Sequence, residues 1–350
     1  MDSLTDRITE LSPERRRLLQ QLLEQRGLPQ PDSAAPAAPA YIPRSKAKAA
    51  IPNGKGSSRN LRLTIDYGGS ADDVKADCRR FYDGVSEQLN SSMFGKFSYF
   101  LNYGYVADES PELARVTLPE HFINRNSVKL VLELIGECEL TDRHILDVGC
   151  GRGGTAYVLD HFFDAASITG IDLSPTAIAF CRAEHRSRRL RFFEADAEQL
   201  PFADASFDVA TNLESSHTYP NVKAFYAEVA RVLKPSDYFL YADVLSAEQF
   251  ETGVATLEVC GLAVERSRNI TLNVLLSCDE IARNRASAYA STNDPEVMRE
   301  FLAIPGSGVY ERMRTREWTY RILMLRKGHP GGGAAGKTLS SGLQADRTLA

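Results

Sequence analysis

The chain has few cysteines and no long hydrophobic run, and both absences limit what it can be. Its six cysteines form no CxxC pair and show no spacing typical of zinc ligands, so we expect neither a disulfide framework nor a metal site. No apolar stretch is long enough to span a bilayer, and the N-terminus lacks the hydrophobic core of a secretory signal. Reduced thiols and no leader predict a cytoplasmic protein without membrane contact.

The chain also lacks an excess of positive charge. Its 350 residues carry a formal net charge of −5, with 43% hydrophobic and 25% charged residues. The densest basic run, Arg182 to Arg191, has no aromatic side chains between its arginines on which bases could stack, so we interpret it as a solvated face. This composition argues against a nucleic-acid partner and predicts a chain that can bury one substantial core.

Composition and hydrophobic pattern divide the chain into five predicted segments. They are a short N-terminal helix at 1–27, a disordered linker rich in Pro, Ala, Ser, Lys and Gly at 28–60, a helical lid at 61–137, a core at 138–327 and a disordered, glycine-rich tail at 328–350. Within the lid, mixed apolar patterns predict helices at 71–90, 91–101 and 118–137.

An apolar run that ends in DVGCGRGG, residues 147–154, predicts a buried strand that turns through a glycine loop into a helix. Gly149 and Gly151 can adopt dihedrals that a Cβ would forbid, and the N–H groups of the helix point at whatever lies over the turn. The loop therefore predicts a nucleotide-like cofactor. Gly149, Gly151 and Gly154 also satisfy GxGxxG, the spacing of dinucleotide-binding proteins. Asp147 would repel a pyrophosphate but attract the ammonium group of a methionyl moiety, which favours S-adenosylmethionine.

The following predicted strands end in side chains that suit the rest of such a cofactor. Asp172 ends the second strand and can accept hydrogen bonds from both ribose hydroxyls, although NAD enzymes use an acid in the same way. A third strand closes on Asp196, which can accept from the adenine amino group. A fourth strand runs from Phe207 into polar residues that end at His217.

The order of these motifs resembles a known family. DVGCGRGG, GIDLS, EADAEQLPF, FDVATNLESSH and RVLKP are similar to the successive motifs of class I S-adenosylmethionine-dependent methyltransferases over roughly residues 95–326. The resemblance implies a Rossmann-like α/β fold: a seven-stranded, mostly parallel sheet with an antiparallel last strand, helices on both faces and an N-terminal helical lid. One departure is Ser236-Asp237, where the family usually has a glycine pair after the proline.

Three segments carry a narrower resemblance, to small-molecule O-methyltransferases of natural-product pathways. They are Asn102-Tyr-Gly-Tyr105, Glu214-Ser-Ser-His217 and Arg268 to Val274. The resemblance implies that Tyr103, in the lid, contacts the methionyl end of the cofactor. The candidate cofactor-binding residues are therefore Tyr103, Asp147, Gly149, Gly151, Asp172, Leu173, Asp196, Ala197, Asn212 and Leu213.

Methyl transfer to oxygen needs a group that accepts the acceptor's proton, and His217 is the candidate. It follows the end of the fourth strand, in the crevice where open α/β sheets hold their ligands, and a neutral imidazole accepts a proton near neutral pH. Its partner is open between Glu214, three residues earlier, and Asp243, at the end of the fifth strand. In the sugar O-methyltransferases that the chain resembles, a histidine and an aspartate at matching positions act together. The polyketide enzymes are associated instead with a histidine and glutamate pair.

These observations predict an O-methyltransferase acting on a hydroxyl of a polyketide-type natural product, free or tethered to an acyl carrier protein. LSPERRRLLQQLLEQRG, residues 11–27, resembles docking helices of modular polyketide and nonribosomal peptide synthases, which implies a synthase partner. An apolar acceptor is favoured if the lid aromatics line the pocket: Phe94, Phe97, Tyr99 and Phe100. The alternatives are a C- or sugar O-methyltransferase, an NAD-dependent oxidoreductase, and a methyltransferase-like domain that binds without catalysis.

Overall fold

The computed structural model describes residues 37–43, 68–91, 95, 98–107, 116, 118–119, 122–288 and 295–328. The described residues from Pro39 onward belong to one compact unit. The predicted N-terminal helix at 1–27, most of the predicted linker and the tail after Gly328 lie outside the described residues, as do Phe94 and Phe97 of the lid.

A seven-stranded sheet forms the centre of this unit. In chain order its strands are β1 (His144–Val148), β2 (Ser167–Asp172), β3 (Leu190–Glu194), β4 (Phe207–Leu213), β5 (Leu233–Ser246), β6 (Leu262–Asn269) and β7 (Trp318–Lys327). Across the sheet their order is β3-β2-β1-β4-β5-β7-β6. The first five pair in parallel, and β7 runs antiparallel to both β5 and β6. The predicted Rossmann-like sheet with an antiparallel last strand is confirmed.

Helices cover both faces of the sheet. In the described residues they are α1 (Ala71–Ser91), α2 (Arg125–Ile135), α3 (Gly154–Phe162), α4 (Pro175–Glu184), α5 (Val222–Val232), α6 (Ala247–Val259), α7 (Thr271–Ala288), α8 (Pro295–Phe301) and α9 (Gly308–Arg314). The central strands β1 and β4 are buried almost throughout, because a strand covered by helices on both faces needs a continuous apolar run instead of alternation. None of the helices in the described ranges is long and apolar enough to cross a membrane.

The segment predicted as a lid contains elements of two kinds. Helix α1 matches the helix expected at 71–90, and its apolar face packs against α8, with the rings of Phe81 and Phe301 5.4 Å apart. Helix α2 is much shorter than the helix expected at 118–137, and almost all of it is buried in the core beside α3. The helix expected at 91–101 does not extend over 98–101, where the backbone is irregular.

Part of the predicted linker is placed against the sheet. The ring of Tyr41 stacks on Phe193 of β3 with centroids 4.5 Å apart, and the backbone N–H of Ile42 donates to the carbonyl of Pro201 at 2.8 Å. The sequence predicts disorder here because prolines and alanines dominate the stretch. A single aromatic side chain with a ring to stack on provides the apolar contact that this composition otherwise lacks.

The departure from the family's glycine pair falls at a backbone position that favours glycine. Ser236 has φ +67°, in the left-handed region, and lies near the start of β5. Its neighbour Asp237 accepts a hydrogen bond from Arg143 at 3.0 Å. The chain holds Ser236 in this conformation at the cost of some backbone strain, and neither Ser236 nor Asp237 is a candidate site residue.

Candidate active site

A cleft lies at the C-terminal ends of the parallel strands, where open α/β sheets bind their ligands. It encloses about 1180 Å³ of empty space, part of it open to solvent. The loops after β1, β2, β3 and β4 form one wall, and α1, residues 99–103 and the end of α8 form the other. Tyr99 and Phe100 line this second wall, which is the condition under which the sequence favours an apolar acceptor.

The glycine loop after β1 has the conformation that its composition predicts. Gly149, Gly151 and Gly153 have φ of +71°, +50° and +80°. A Cβ on Gly149 would lie 2.0 Å from Oγ of Ser215, so the loop after β4 approaches the glycine where no side chain fits. Gly149 and Gly151 both line the cleft.

Asp172 ties the second strand to this loop. One carboxylate oxygen accepts from the backbone N–H of Gly151 at 2.8 Å, and the other from that of Ser174 at 2.9 Å. Burial raises the pKa of Asp172, and the two backbone hydrogen bonds partly offset that effect. Asp172 and Leu173, both candidate cofactor-binding residues, line the cleft, and each carboxylate oxygen of Asp172 retains a lone pair for a ligand hydroxyl.

Asp196 and Ala197 also line the cleft, but Asp196 has a partner that the sequence does not reveal. Lys75 of α1 reaches across the opening to Asp196 at 2.8 Å and to Glu198 at 2.5 Å. One turn further along α1, Arg79 pairs with Glu194 at 2.7 Å. The amphipathic pattern of α1 predicts its buried face, whereas nothing in the spacing indicates which acids face its cations.

Two predicted cofactor residues stand behind the wall of the cleft and do not line it. Asp147 is almost fully buried, and its Oδ1 accepts from the hydroxyl of Thr211 at 2.8 Å. Asn212 donates from Nδ2 to the carbonyl of Val148 at 2.9 Å. Oδ2 of Asp147 and Oδ1 of Asn212 are buried and make no hydrogen bond to any residue that the structure describes. Burial raises the pKa of Asp147 to about 7, although the Thr211 hydroxyl acts in the opposite direction.

His217 is paired with Asp243, one of the two partners left open by the sequence. Oδ1 of Asp243 accepts from Nδ1 of the ring at 2.7 Å, and Oδ2 accepts from the backbone N–H of His217 at 3.1 Å. Asp243 is fully buried and outside the cleft wall, and its Oδ2 also accepts from Ser216 at 2.7 Å. His217 lines the cleft, and Nε2 forms no hydrogen bond within the described part of the chain. The carboxylate fixes the tautomer whose free lone pair is on Nε2.

The pKa of His217 reflects opposing effects. Burial by itself lowers it, but the charge of Asp243, the hydrogen bond to that carboxylate and the charge of Glu214 outweigh burial, so the pKa is raised above its usual 6.5. The arrangement provides a proton acceptor stronger than a free imidazole.

Glu214 is not bonded to His217. It lines the cleft and accepts from the backbone N–H of Tyr103 at 2.9 and 3.2 Å, and from the hydroxyl of Tyr320 at 2.8 Å. Tyr103 and Leu213, two of the candidate cofactor-binding residues, line the cleft. Of the candidates, Asp147, Asn212 and Asp243 are the ones that the structure places behind it.

The residues present fit a cofactor with a nucleoside and a positively charged amino acid part. The glycine loop leaves space that a Cβ would fill, Asp172 and Asp196 present acceptors to the cleft, and Asp147 holds a buried oxygen without a partner in the described residues. These features define a nucleoside-binding α/β domain with a histidine–aspartate pair at one end of its cleft. In the described residues no cluster of His, Cys, Asp and Glu has the arrangement of a metal site.

Comparisons with known proteins agree with this class. Residues 146–241 match the methyltransferase domain family. The chain is 34% identical over 233 residues to a fatty-acid O-methyltransferase of Mycolicibacterium smegmatis, covering 65% of this chain and 83% of the relative. It is 33% identical over 231 residues to a phthiotriol/phenolphthiotriol dimycocerosates methyltransferase of Mycobacterium tuberculosis, covering 65% and 85%. The crystal structure of the [4+2]-cyclase SpnF shares the fold, with TM-score 0.57 and 22% identity over 73% of this chain and 97% of that one.

The chain belongs to the class I S-adenosylmethionine-dependent methyltransferases. It is an enzyme of that class, and its cofactor is S-adenosylmethionine. The NAD-dependent alternative is therefore not supported. Because a cyclase shares the fold, the fold by itself does not identify the reaction, and the acceptor has to be argued from the site.

Proposed function

We propose that this methyltransferase methylates a hydroxyl oxygen of an apolar, lipid- or polyketide-type small molecule, with His217 as general base and Asp243 as its partner. The observation that carries the proposal is the 2.7 Å hydrogen bond between Nδ1 of His217, which lines the cleft, and Asp243, which is buried behind it. S-adenosylmethionine, when bound, supplies a methyl group on a positively charged sulfur. The chain then has to hold the acceptor and take its proton.

The pair is suited to an acceptor that carries a proton. A hydroxyl loses its proton as the carbon–oxygen bond forms, and Nε2 of His217 can accept it while Asp243 stabilises the resulting imidazolium. A carboxylic acid is already ionised near neutral pH and needs no base. A histidine whose pKa is raised by a buried carboxylate is therefore better matched to a hydroxyl than to a fatty acid.

The charges around the cleft support the same choice. Three cationic side chains line it in the described residues, and each is already engaged. Lys75 pairs with Asp196 and Glu198, and Arg79 pairs with Glu194. Arg152 donates to backbone carbonyls, including that of Ser98 at 2.8 Å, and lies over a phenyl ring. A carboxylate acceptor would find no uncommitted cation among these side chains, whereas a neutral hydroxyl needs none.

Aromatic and aliphatic side chains support an apolar acceptor. The wall opposite the sheet includes Tyr82, Tyr99, Phe100, Leu101 and Phe301, all partly exposed. Partly exposed apolar surface in a cleft is typical of a site for an apolar ligand. The two relatives named above act, by their names, on a fatty acid and on phthiotriol-type lipids. A carrier-protein-tethered acceptor is the finer part of the proposal, and the resemblance of residues 11–27 to docking helices supports it.

The test compares two acceptors of equal chain length, one with a terminal hydroxyl and one with a carboxylic acid, using labelled S-adenosylmethionine. We expect methyl ether from the hydroxyl acceptor and little ester.

His217→Ala should reduce turnover by about 10² to 10⁴-fold while cofactor affinity stays near that of the wild type. Asp243→Asn should also slow turnover and move the acidic limb of the rate profile to lower pH, since burial then lowers the pKa of His217 unopposed by that carboxylate.

The matched control is His161→Ala, because His161 is exposed and its ring contacts the carbonyl of Tyr157 on its own helix. It should leave turnover unchanged. Preferred methylation of the acid, or full turnover by His217→Ala, would contradict the proposal. Cofactor binding without methyl transfer to either acceptor would favour the non-catalytic alternative.

A further inference from the structure

Glu214 stands in a backbone conformation that a non-glycine residue rarely adopts. Its φ is +50°, directly after β4, and its backbone N–H donates to the carbonyl of Ala242 at 2.9 Å. Such strain persists only where the surrounding contacts hold it. Here the contacts are those of the carboxylate, which accepts hydrogen bonds from Tyr103 and Tyr320.

The carboxylate joins two parts of the chain that are far apart in sequence. Its oxygens accept from the backbone N–H of Tyr103 and from the hydroxyl of Tyr320, a fully buried residue on the antiparallel strand β7. Hydrogen bonds to an ionised acceptor are stronger than neutral ones. The bridge therefore fastens the cleft wall at Tyr103 to the sheet.

Further hydrogen bonds hold the same segment from its other side. Oγ of Ser277, on α7, donates to the carbonyl of Tyr103 at 2.9 Å. The backbone N–H of Tyr105 donates to the backbone carbonyl of Asn126 at 2.9 Å. Gly104 between them has φ +81°, and a Cβ there would lie 2.5 Å from Oγ of Ser277. Residues 102–105 are all buried, so this part of the predicted lid is a fixed wall.

We propose that Glu214 is a positioning residue: it fixes the Tyr103 segment as the wall of the cofactor cleft beside His217, and it does so as a hydrogen-bond acceptor, not as the partner of the histidine. The partner's position is already taken by Asp243. This inference rests on the proposed function only in assigning the base to His217.

The proposal predicts different effects for two substitutions of Glu214 that both remove its charge. A role that depended on the charge would predict the same effect for both. Glu214→Gln can keep both bonds, because the Tyr103 N–H and the Tyr320 hydroxyl both donate to Oε1, at 2.9 and 2.8 Å, and the amide oxygen can take that position. Glu214→Ala removes the acceptor that both groups share. We expect Glu214→Gln to keep turnover and cofactor affinity within about tenfold of the wild type, and Glu214→Ala to weaken cofactor affinity by about 10- to 100-fold.

The decisive readout is amide hydrogen exchange of peptides spanning residues 101–106, measured without cofactor or acceptor. Glu214→Ala should speed exchange at Tyr103 by about 10- to 100-fold, and Glu214→Gln should leave it close to the wild type. The control is Glu137→Gln, which removes the charge of an exposed pair with Arg266 at 2.9 Å and should leave this exchange unchanged. Because no methyl transfer is measured, the result is independent of the acceptor.

Ser277→Ala provides a second route if Glu214→Ala does not fold. It removes the other side-chain bond to Tyr103 and should also speed exchange at residues 103–106 and weaken cofactor affinity, with the acidic limb of the rate profile unmoved. Equal loss of turnover in Glu214→Gln and Glu214→Ala, with normal exchange in both, would overturn the proposal. So would unchanged exchange and affinity in Ser277→Ala.

Discussion

Asp147 offers a sharp test because its burial has an energetic cost that a single atom replacement should remove. The carboxyl group is almost fully buried, and only one of its oxygens accepts a hydrogen bond in the described residues. Its pKa is raised from 3.8 to about 7. Between these two pH values the folded protein holds a proton that the unfolded chain releases. Unfolding therefore becomes easier as the pH rises through this window, and the full cost is present above about pH 7.

The magnitude follows from the difference between the two pKa values. At about 1.36 kcal/mol per pH unit, moving from 3.8 to about 7 corresponds to roughly 4 kcal/mol, as an upper bound. Asp147→Asn is isosteric and keeps an oxygen for the Thr211 hydroxyl, but it cannot ionise. Without cofactor, the variant should be more stable than the wild type at pH 8 by up to roughly 4 kcal/mol, and nearly equal to it at pH 4.

The assay is urea unfolding of both proteins without cofactor, at intervals from pH 4 to 8. The difference between their unfolding free energies cancels the titration of groups that they share. Asp208→Asn is the opposed control, because hydrogen bonds from Lys234 and His144 and nearby cations outweigh burial and lower the pKa of Asp208. It should lose stability near pH 7. A difference for Asp147→Asn that does not grow with pH, or a less stable variant at pH 8, would refute the reasoning.

The same substitution tests the proposed role of Asp147 toward the cofactor. If its ionised form receives the cofactor's ammonium group, affinity for S-adenosylmethionine in the wild type should rise with pH up to about 7, with proton release on binding below that pH. Calorimetry in buffers of different ionisation enthalpy measures that release. Asp147→Asn should lose affinity and proton release together while gaining stability, and an unaltered affinity would remove Asp147 from the cofactor site.

Two further substitutions test contacts elsewhere in the chain. Lys75→Met removes the ion pairs with Asp196 and Glu198 across the cleft. Release of S-adenosylhomocysteine, measured by stopped flow, should therefore be about 3- to 10-fold faster and less sensitive to salt. Arg266→Met, which breaks an exposed ion pair with Glu137, is the control. Equal release rates in the two variants would contradict the prediction for Lys75. Ser236→Gly should raise the unfolding free energy by about 1 kcal/mol by relieving the left-handed φ of +67°; a loss of stability on urea unfolding would show that the serine is not strained.

The sequence determined the fold and much of the lining of the cleft, because both follow from local sequence patterns. Continuous apolar runs predict strands covered on both faces, and glycines at 149 and 151 are required by φ values that other residues avoid. Successive strands that end in acids place those acids at one edge of a parallel sheet. Asp172 and Asp196 therefore line the cleft as the order of motifs predicts.

The tertiary structure alone decided which residues meet across that edge. Glu214 is closer to His217 in sequence, yet Asp243 bonds the ring, because the pairing of Leu213 with Ala242 sets β4 beside β5 and the left-handed φ of Glu214 turns its carboxylate toward Tyr103. Lys75 meets Asp196 only because α1 folds over the cleft. The spacing of residues along the chain predicts which side chains share a helix or a strand. Contacts between helices and strands depend on strand register and helix packing, which the local pattern of one sequence does not determine.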